Sequence, residues 1–354
     1  MGGGTKETPA ADGGRAGLDP HGSWYPSLVS DVEDLVEAAQ PNELLRRVDA
    51  LCEARRWDDL VGLAHRCREA VERGKQLWPI AEHIEYRLAL EGPAPLAGSV
   101  LTPTAGRFAL GPLTEVAAST HTFFELSPHL SSHLVAGVVA GERVLRGEEL
   151  EGVPEAHPEV LELPMVLQDW EPTYELATYR SSKVTAPAPQ VGPLTARGTG
   201  QHGEPIDDPE LLRSLLDLVA TWVGSSNGRS DAVVVEGSPE AAIGSLGEMN
   251  FLIGELDPAR AMALMAWAAA GGGAHGRRNG AAAGRSAAWW AATALVDLEW
   301  PPDPDHLGED LARLRWFRWE PLRPLGGWQL HLAVEDPSGG WSAAIAAEDR
   351  ATEP

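Results

Sequence analysis

Trp328-Gln329-Leu330-His331-Leu332-Ala333-Val334-Glu335 alternates large apolar side chains with polar or small ones. After the turn Asp336-Pro337-Ser338-Gly339-Gly340, the residues Trp341, Ala343, Ile345 and Ala347 repeat the alternation. A period of two places Trp328, Leu330, Leu332 and Val334 on one face of a strand. The aromatic-rich run Leu314 to Glu320 just before reads as a third strand. The spacing therefore predicts a small antiparallel meander with one apolar face, which helices have to cover. This meander makes an otherwise predominantly α chain an α+β one.

Upstream, Asp207-Asp208-Pro209 has the acids and the proline of a helix N-terminus, with Leu211, Leu212, Leu215, Leu218, Val219 and Trp222 as its apolar face. Asp231 to Gly237 is a buried-strand candidate. Ser238-Pro239-Glu240 starts a short helix that Gly247 ends, and Asp257-Pro258 opens the next. From Pro258 to Val296 there is no Asp or Glu, in a chain of formal net charge -24. The spacing predicts a helix over about 276–295, packed on the alanine-rich helix Ala259 to Ala270 through the turn Gly271-Gly272-Gly273. Gly276, Gly280, Gly284, Ala288 and Ala292 then form a stripe of small residues that lets another backbone approach closely. Three glycines cost such a helix about 1 kcal/mol each relative to alanine, so a contact or a ligand has to offset them. Helical geometry also brings His275, Arg278, Arg285 and Trp289 close to one line, with Arg277 beside it. Convergent arginines, a helix N-terminus and glycine-rich backbone are the components of an anion site for a phosphate, nucleotide or carboxylate. The competing expectation is that these arginines pair with acids of the same chain, of which there are 52.

The first half reads differently. The tail 1–22 is rich in Gly, Ala, Pro and Asp, lacks the apolar core of a signal peptide and is expected to be disordered. Residues 23–150 show consecutive amphipathic stripes: Leu44, Leu45, Val48, Leu51 and Cys52, then Leu60, Val61, Ala64, Cys67 and Val71, then Leu77, Ile80, Ala81, Ile84 and Leu88. Short links imply antiparallel neighbours, and the pattern leaves a helical bundle and an irregular α-solenoid equally open. A further helix is expected over Pro128 to Arg146. The Pro-rich stretch 151–205 reads as a covering arm with a short strand near Glu175 to Tyr179, ending in a flexible segment, Ala186 to Gln201. Residues 206–354 form the expected α+β domain.

His121, Glu125, His129 and His133 are the cluster with metal-like spacing, His129 and His133 sharing a helix face at i and i+4. The Glu that follows the first His of a metalloprotease motif is missing. Cys52 and Cys67 are two thiols on adjacent helices, which suits buried apolar side chains better than a disulfide framework. No phosphate-binding loop, dinucleotide fingerprint or serine elbow is present, so no cofactor is expected. The acidity argues against nucleic acid and anionic membrane surfaces as partners. No apolar run reaches the length of a spanning helix, so a cytoplasmic location is expected.

The run Ala274-His275-Gly276-Arg277-Arg278, continued by Gly280 to Trp290, resembles the signature of an uncharacterised actinobacterial protein family, and Leu332 to Pro337 is similar to it as well. That resemblance, mainly in the C-terminal third, implies a bacterial protein and no particular activity. Two expectations follow from the residues. One is a non-catalytic protein-interaction or scaffold protein with a helical platform and a protein partner. The other is an enzyme or sensor that binds a small anion at His275, Arg277, Arg278, Arg285 and Trp289.

Overall fold

The computed structural model describes Met1 and residues 32–102, 109–323 and 326–351. The tail expected at 1–22, apart from Met1, lies outside the described residues. Residues 32–37 are helical and precede α1 (Pro41–Glu53), α2 (Trp57–Glu72) and α3 (Trp78–Glu91). The apolar stripes of these helices meet in one core, with Leu44, Val48, Leu60, Leu63, Ile80 and Ile84 buried. Each fully buried leucine there contributes about 2 kcal/mol. Cys52 and Cys67 are part of this core as free thiols.

The opposite side of α3 turns Tyr86, Ala89 and Leu90 into a second core. This core is shared with α4 (Ala94–Ser99), α5 (Leu113–Ala118), α6 (Phe123–Leu126) and α7 (His133–Val144). The continuous helix expected over Pro128 to Arg146 is not formed. Ser127–His129 is a 3-10 turn, Leu130 is extended, and the Ser132 hydroxyl accepts from the Val135 N–H to start α7 afresh. Pro128 sits within the 3-10 turn, and a side-chain cap defines the later start.

The remaining strands build two sheets. The hairpin of β1 (Thr178–Arg180) and β2 (Lys183–Thr185) stands alone. The main sheet contains β3 (Ala196–Thr199), β4 (Arg229–Glu236), β5 (Asn250–Leu256), β6 (Arg315–Pro321), β7 (Trp328–Asp336) and β8 (Trp341–Asp349). Its order is β3-β5-β6-β7-β8-β4, antiparallel throughout. The three C-terminal strands expected from the alternation are its centre, and the architecture is mixed α+β. β3 corrects the flexible segment expected over Ala186 to Gln201. Gly198, having no side chain, lets β3 lie against the ring of Phe251 on β5.

The helices of the second half are α8 (Pro209–Asp217), α9 (Ala220–Ser225), α10 (Pro239–Ser245), α11 (Pro258–Ala270), α12 (Ala281–Leu295) and α13 (Pro304–Leu311). The Asp208, Asp257 and Asp303 carboxylates cap α8, α11 and α13 by accepting from backbone N–H groups. Ser238 occupies the corresponding position before α10, but its hydroxyl makes no cap bond. The sheet is apolar on both faces, not one. Leu330, Leu332, Val334 and Ile345 meet α8, α11, α12 and α13, while Phe251, Phe317, Trp319 and Ala344 meet α10. Trp289, Trp316 and Trp319 are buried core residues, and Trp290 is half-buried. Among the described residues no helix is long and apolar enough to cross a membrane.

Candidate functional site

The acid-free segment folds as helix, turn and helix. α12 starts at Ala281, not at residue 276, because Gly280 takes φ 102° at the N-cap. Residues 271–280 double back over the end of α11. The Asn279 N–H donates to Ala270 O at 2.8 Å, and its side-chain amide donates to Ala269 O and Thr221 Oγ1, each at 2.8 Å. The Ala274 N–H donates to the buried Asp349 carboxylate at the end of β8, at 2.6 Å. The stripe of small residues is therefore divided among different tasks. Gly284 makes the close helix approach, since a Cβ there would overlap the Ala266 carbonyl oxygen on α11. Gly280 supplies a left-handed backbone that L side chains rarely adopt.

This turn breaks the expected line of side chains into separate parts. Arg278 leaves the turn to meet Glu115 on α5, with Nε to Oε2 at 2.7 Å and Nη2 to Oε1 at 2.8 Å. Tyr179 of β1 donates to the same Oε2 at 2.8 Å. Beside this fork, Glu142 on α7 accepts from the Ala282 N–H at 2.8 Å and from Arg146 Nη1 at 2.7 Å. Glu142 thus satisfies an orphan donor in the first turn of α12, where a negative charge is favoured by the helix dipole. Two carboxylates face two guanidinium groups in a buried cluster that joins α5 and α7 to the start of α12. Burial, with Glu115 adding repulsion, pushes the Glu142 carboxyl up to about 7 against the opposing pull of Arg146. Burial and the Glu115 charge likewise raise the Tyr179 hydroxyl, which stays a donor.

Arg285 is more enclosed still, at 2% exposure. Its Nε and Nη2 pair with both oxygens of Glu171 at 2.8 and 2.7 Å, and its remaining donors reach Pro164 O and Val166 O. Trp289 Nε1, Tyr174 Oη and the Gln168 N–H also donate to Glu171. Burial alone would raise the Glu171 carboxyl, but the Arg285 hydrogen bonds and charge outweigh it, and the net shift is downward. Trp289 is a buried wall of this node, its ring 5.5 Å from the Arg285 guanidinium carbon. His275 and Arg277 are exposed on the turn. Of the five residues expected to bind an anion, only Arg285 and Trp289 are brought together, and both converge on an internal carboxylate.

The histidines are not brought together as a metal site. His121 lies with Nε2 at 2.9 Å from Gly92 O and Nδ1 at 3.2 Å from Ala117 O. Glu125 forms a capping box with Thr122. His129 belongs to the 3-10 turn, whereas His133 opens α7 with its ring 5.8 Å from that of His157. The i, i+4 face expected for them requires a continuous helix, which the break at Leu130 removes. Among the described residues, no group of three or more His, Cys, Asp or Glu side chains is arranged to hold a metal ion.

Glu115, Glu142, Glu171, Arg146 and Tyr179 are central to these nodes and were not among the expected site residues. A signal for two of them exists: Glu115 sits next to Val116-Ala117-Ala118, and Glu142 falls on the apolar stripe of Val135 and Val139. A lone carboxylate on an apolar helix face is one that will be buried and will need a partner.

A separate open feature lies in the first half of the chain. α2, α3 and α4 enclose a groove of about 620 Å³. Its apolar lining includes the half-buried Val61, Val71, Leu96 and Val100. Its polar side carries Glu72 and the ion pair of Arg68 with Glu85.

No curated protein and no solved structure matches the chain. A family model does match, over residues 42–351, so the likeness extends well beyond the C-terminal third where it was expected. Both halves of the Arg278–Glu115 and Arg285–Glu171 nodes fall inside that span, and the chain belongs to the family of unknown function DUF6183.

Proposed function

We propose that this chain is a non-catalytic interaction or scaffold protein of a bacterial cytoplasm, and that the groove between α2, α3 and α4 receives its protein partner. The observation that carries the reading is the groove itself: partly exposed apolar side chains in a concave lining, beside carboxylates, on a chain of net charge -24. Concave apolar surface with a charged rim suits an amphipathic helix laid in by its apolar face. The acidic surroundings favour basic residues on that helix. The anion-binding alternative is less well supported, because the guanidinium groups of Arg278 and Arg285 already meet carboxylates of the chain. The pairing supports a structural role for both, and actinobacterial origin remains part of the same proposal.

Panning a displayed library of helical peptides against the whole chain tests the reading. The expected winners carry apolar residues at i, i+3, i+4 and i+7 with Lys or Arg between them. Calorimetry on Leu96→Glu should then show affinity weakened by about tenfold or more, since a buried anchor contact is worth that much. Peptides that bind this variant unchanged would overturn the groove as the docking site. Stabilisation of the wild type by phosphate, ATP or citrate, lost in Arg278→Ala, would favour the anion reading instead.

A further inference from the structure

The C-terminal end of α12, the first turn of α8 and the link after α12 enclose a half-open cavity of about 410 Å³. Four carboxylates line it, Asp208, Glu210, Asp297 and Glu299, and no Lys, Arg or His does. Asp208 uses one oxygen to cap α8, accepting from the Leu211 N–H at 3.0 Å. Among the described residues, no hydrogen bond or ion pair takes up the side chains of Glu210, Asp297 or Glu299. α12 also has no basic residue in its last turn, so its carbonyl end adds to the negative potential.

The walls are aromatic as well as acidic. Trp290 and Trp300 both line the cavity, their ring centroids 5.4 Å apart at an interplanar angle of 71°. Trp300 is held in place by its Nε1 donating to Glu162 Oε2 at 2.8 Å. Tryptophan presents the most negative aromatic face to a cation, and a low-dielectric wall strengthens the attraction. A bare divalent ion demands several oxygens converging on one point. The carboxylates here are not so placed, since among the described residues no three such side chains can hold a metal ion. They ring a space of small-molecule size instead. Spread acids with two tryptophans match a cation that is itself spread out and partly apolar.

We propose that this cavity binds an organic cation, an alkylammonium or guanidinium group. Its apolar part packs on Trp290 and Trp300, and its charge is met by Asp297 and Glu299 with Glu210 beyond them. The group comes either from a free amine or from an Arg or Lys side chain of another protein, and the chemistry of recognition is the same.

Titration calorimetry on the full chain at low salt, with agmatine and tetramethylammonium, tests this, with neutral butylurea as the uncharged control. Binding of the cations and not of butylurea is expected. The double variant D297N/E299Q alters two exposed side chains and should weaken agmatine binding by about tenfold or more. Trp290→Leu should weaken it as well, while Trp290→Phe, which keeps an aromatic face, restores most of it. A capped Gly-Arg-Gly peptide binding more tightly than agmatine assigns the cation to a protein side chain, and the reverse order assigns it to a free amine. The absence of heat with either cation at millimolar concentration overturns the proposal. So does an agmatine affinity unchanged in both D297N/E299Q and Trp290→Leu.

Discussion

Arg278 and Glu115 are 163 positions apart in the chain and meet in a two-bond fork, the carboxylate wholly buried and the guanidinium side chain 10% exposed. The pair ties the turn between α11 and α12 to a helix of the first half. Removing one partner leaves the other charge buried and unmatched, which costs about 3–5 kcal/mol. Arg278→Ala and Glu115→Ala should each lose stability in that range by chemical denaturation. The apolar pair Arg278→Met/Glu115→Leu should recover much of the loss. Additive single effects would show that the fork contributes no coupling.

The Glu142 carboxyl makes stability depend on pH. Its folded pKa of about 7 stands above the ordinary carboxylate value of about 4.5, so the fold favours its protonated form. That contribution is present below about 4.5 and is lost as pH rises through about 7. Urea unfolding at pH 5.5 and pH 8 should show a stability decrease toward pH 8 that Glu142→Gln abolishes. Glu171 acts in the opposite sense, because its folded pKa is lowered. Its stabilisation is present above the ordinary carboxylate range and is lost in acid, so Glu171→Gln should flatten the acid limb of the same profile.

Gly284 faces the α11 backbone so closely that a methyl group meets the Ala266 carbonyl oxygen and the Ala270 side chain. Alanine is the better helix former by about 1 kcal/mol. Overpacking of a close contact costs about 1–3 kcal/mol, and here the obstacle is backbone. Gly284→Ala should therefore lower Tm despite its propensity, whereas Ser286→Ala on the same helix should not. A raised Tm for Gly284→Ala would show that the two helices separate freely.

Cys52 and Cys67 sit in the core of the first three helices, where burial pushes both thiols up to about 11. The thiolate is the reactive form, so both should be inert to a disulfide reagent at pH 8 in the folded protein. Mass spectrometry should find them modified only after denaturant is added. Rapid labelling of either one in the native state would place it at the surface.

Much of the helical first half is legible in the sequence because each stripe repeats at helical spacing and buries against its nearest neighbour. The β6-β7-β8 centre is legible for the same reason at a period of two. β5 is not, because Phe251-Leu252-Ile253-Gly254 is a short apolar run lacking alternation. β3 is not, because Ala196-Arg197-Gly198-Thr199 has one strand-favouring residue, Thr199, and pairs only at the edge it joins. The arginines behave likewise. An acid-free stretch in an acidic chain announces that its charges need partners, yet Glu115 and Glu171 lie more than a hundred positions away. Periodicity reports what a residue's own helix or strand does, and carries no information on which distant element it meets.

The strand order β3-β5-β6-β7-β8-β4 has a consequence for how a growing chain becomes this protein. β4 leaves the ribosome before β5, β6 and β7, but along its whole length it pairs with β8, the C-terminal strand of the sheet. Until then β4 has no strand partner, and closing the gap brings together segments separated by α10, β5, α11, α12, α13 and two further strands. A nascent chain halted before Trp341 would carry finished helices beside an unfinished sheet, with those N–H and C=O groups of β4 and β7 that pair with β8 left open to recruit a foreign strand.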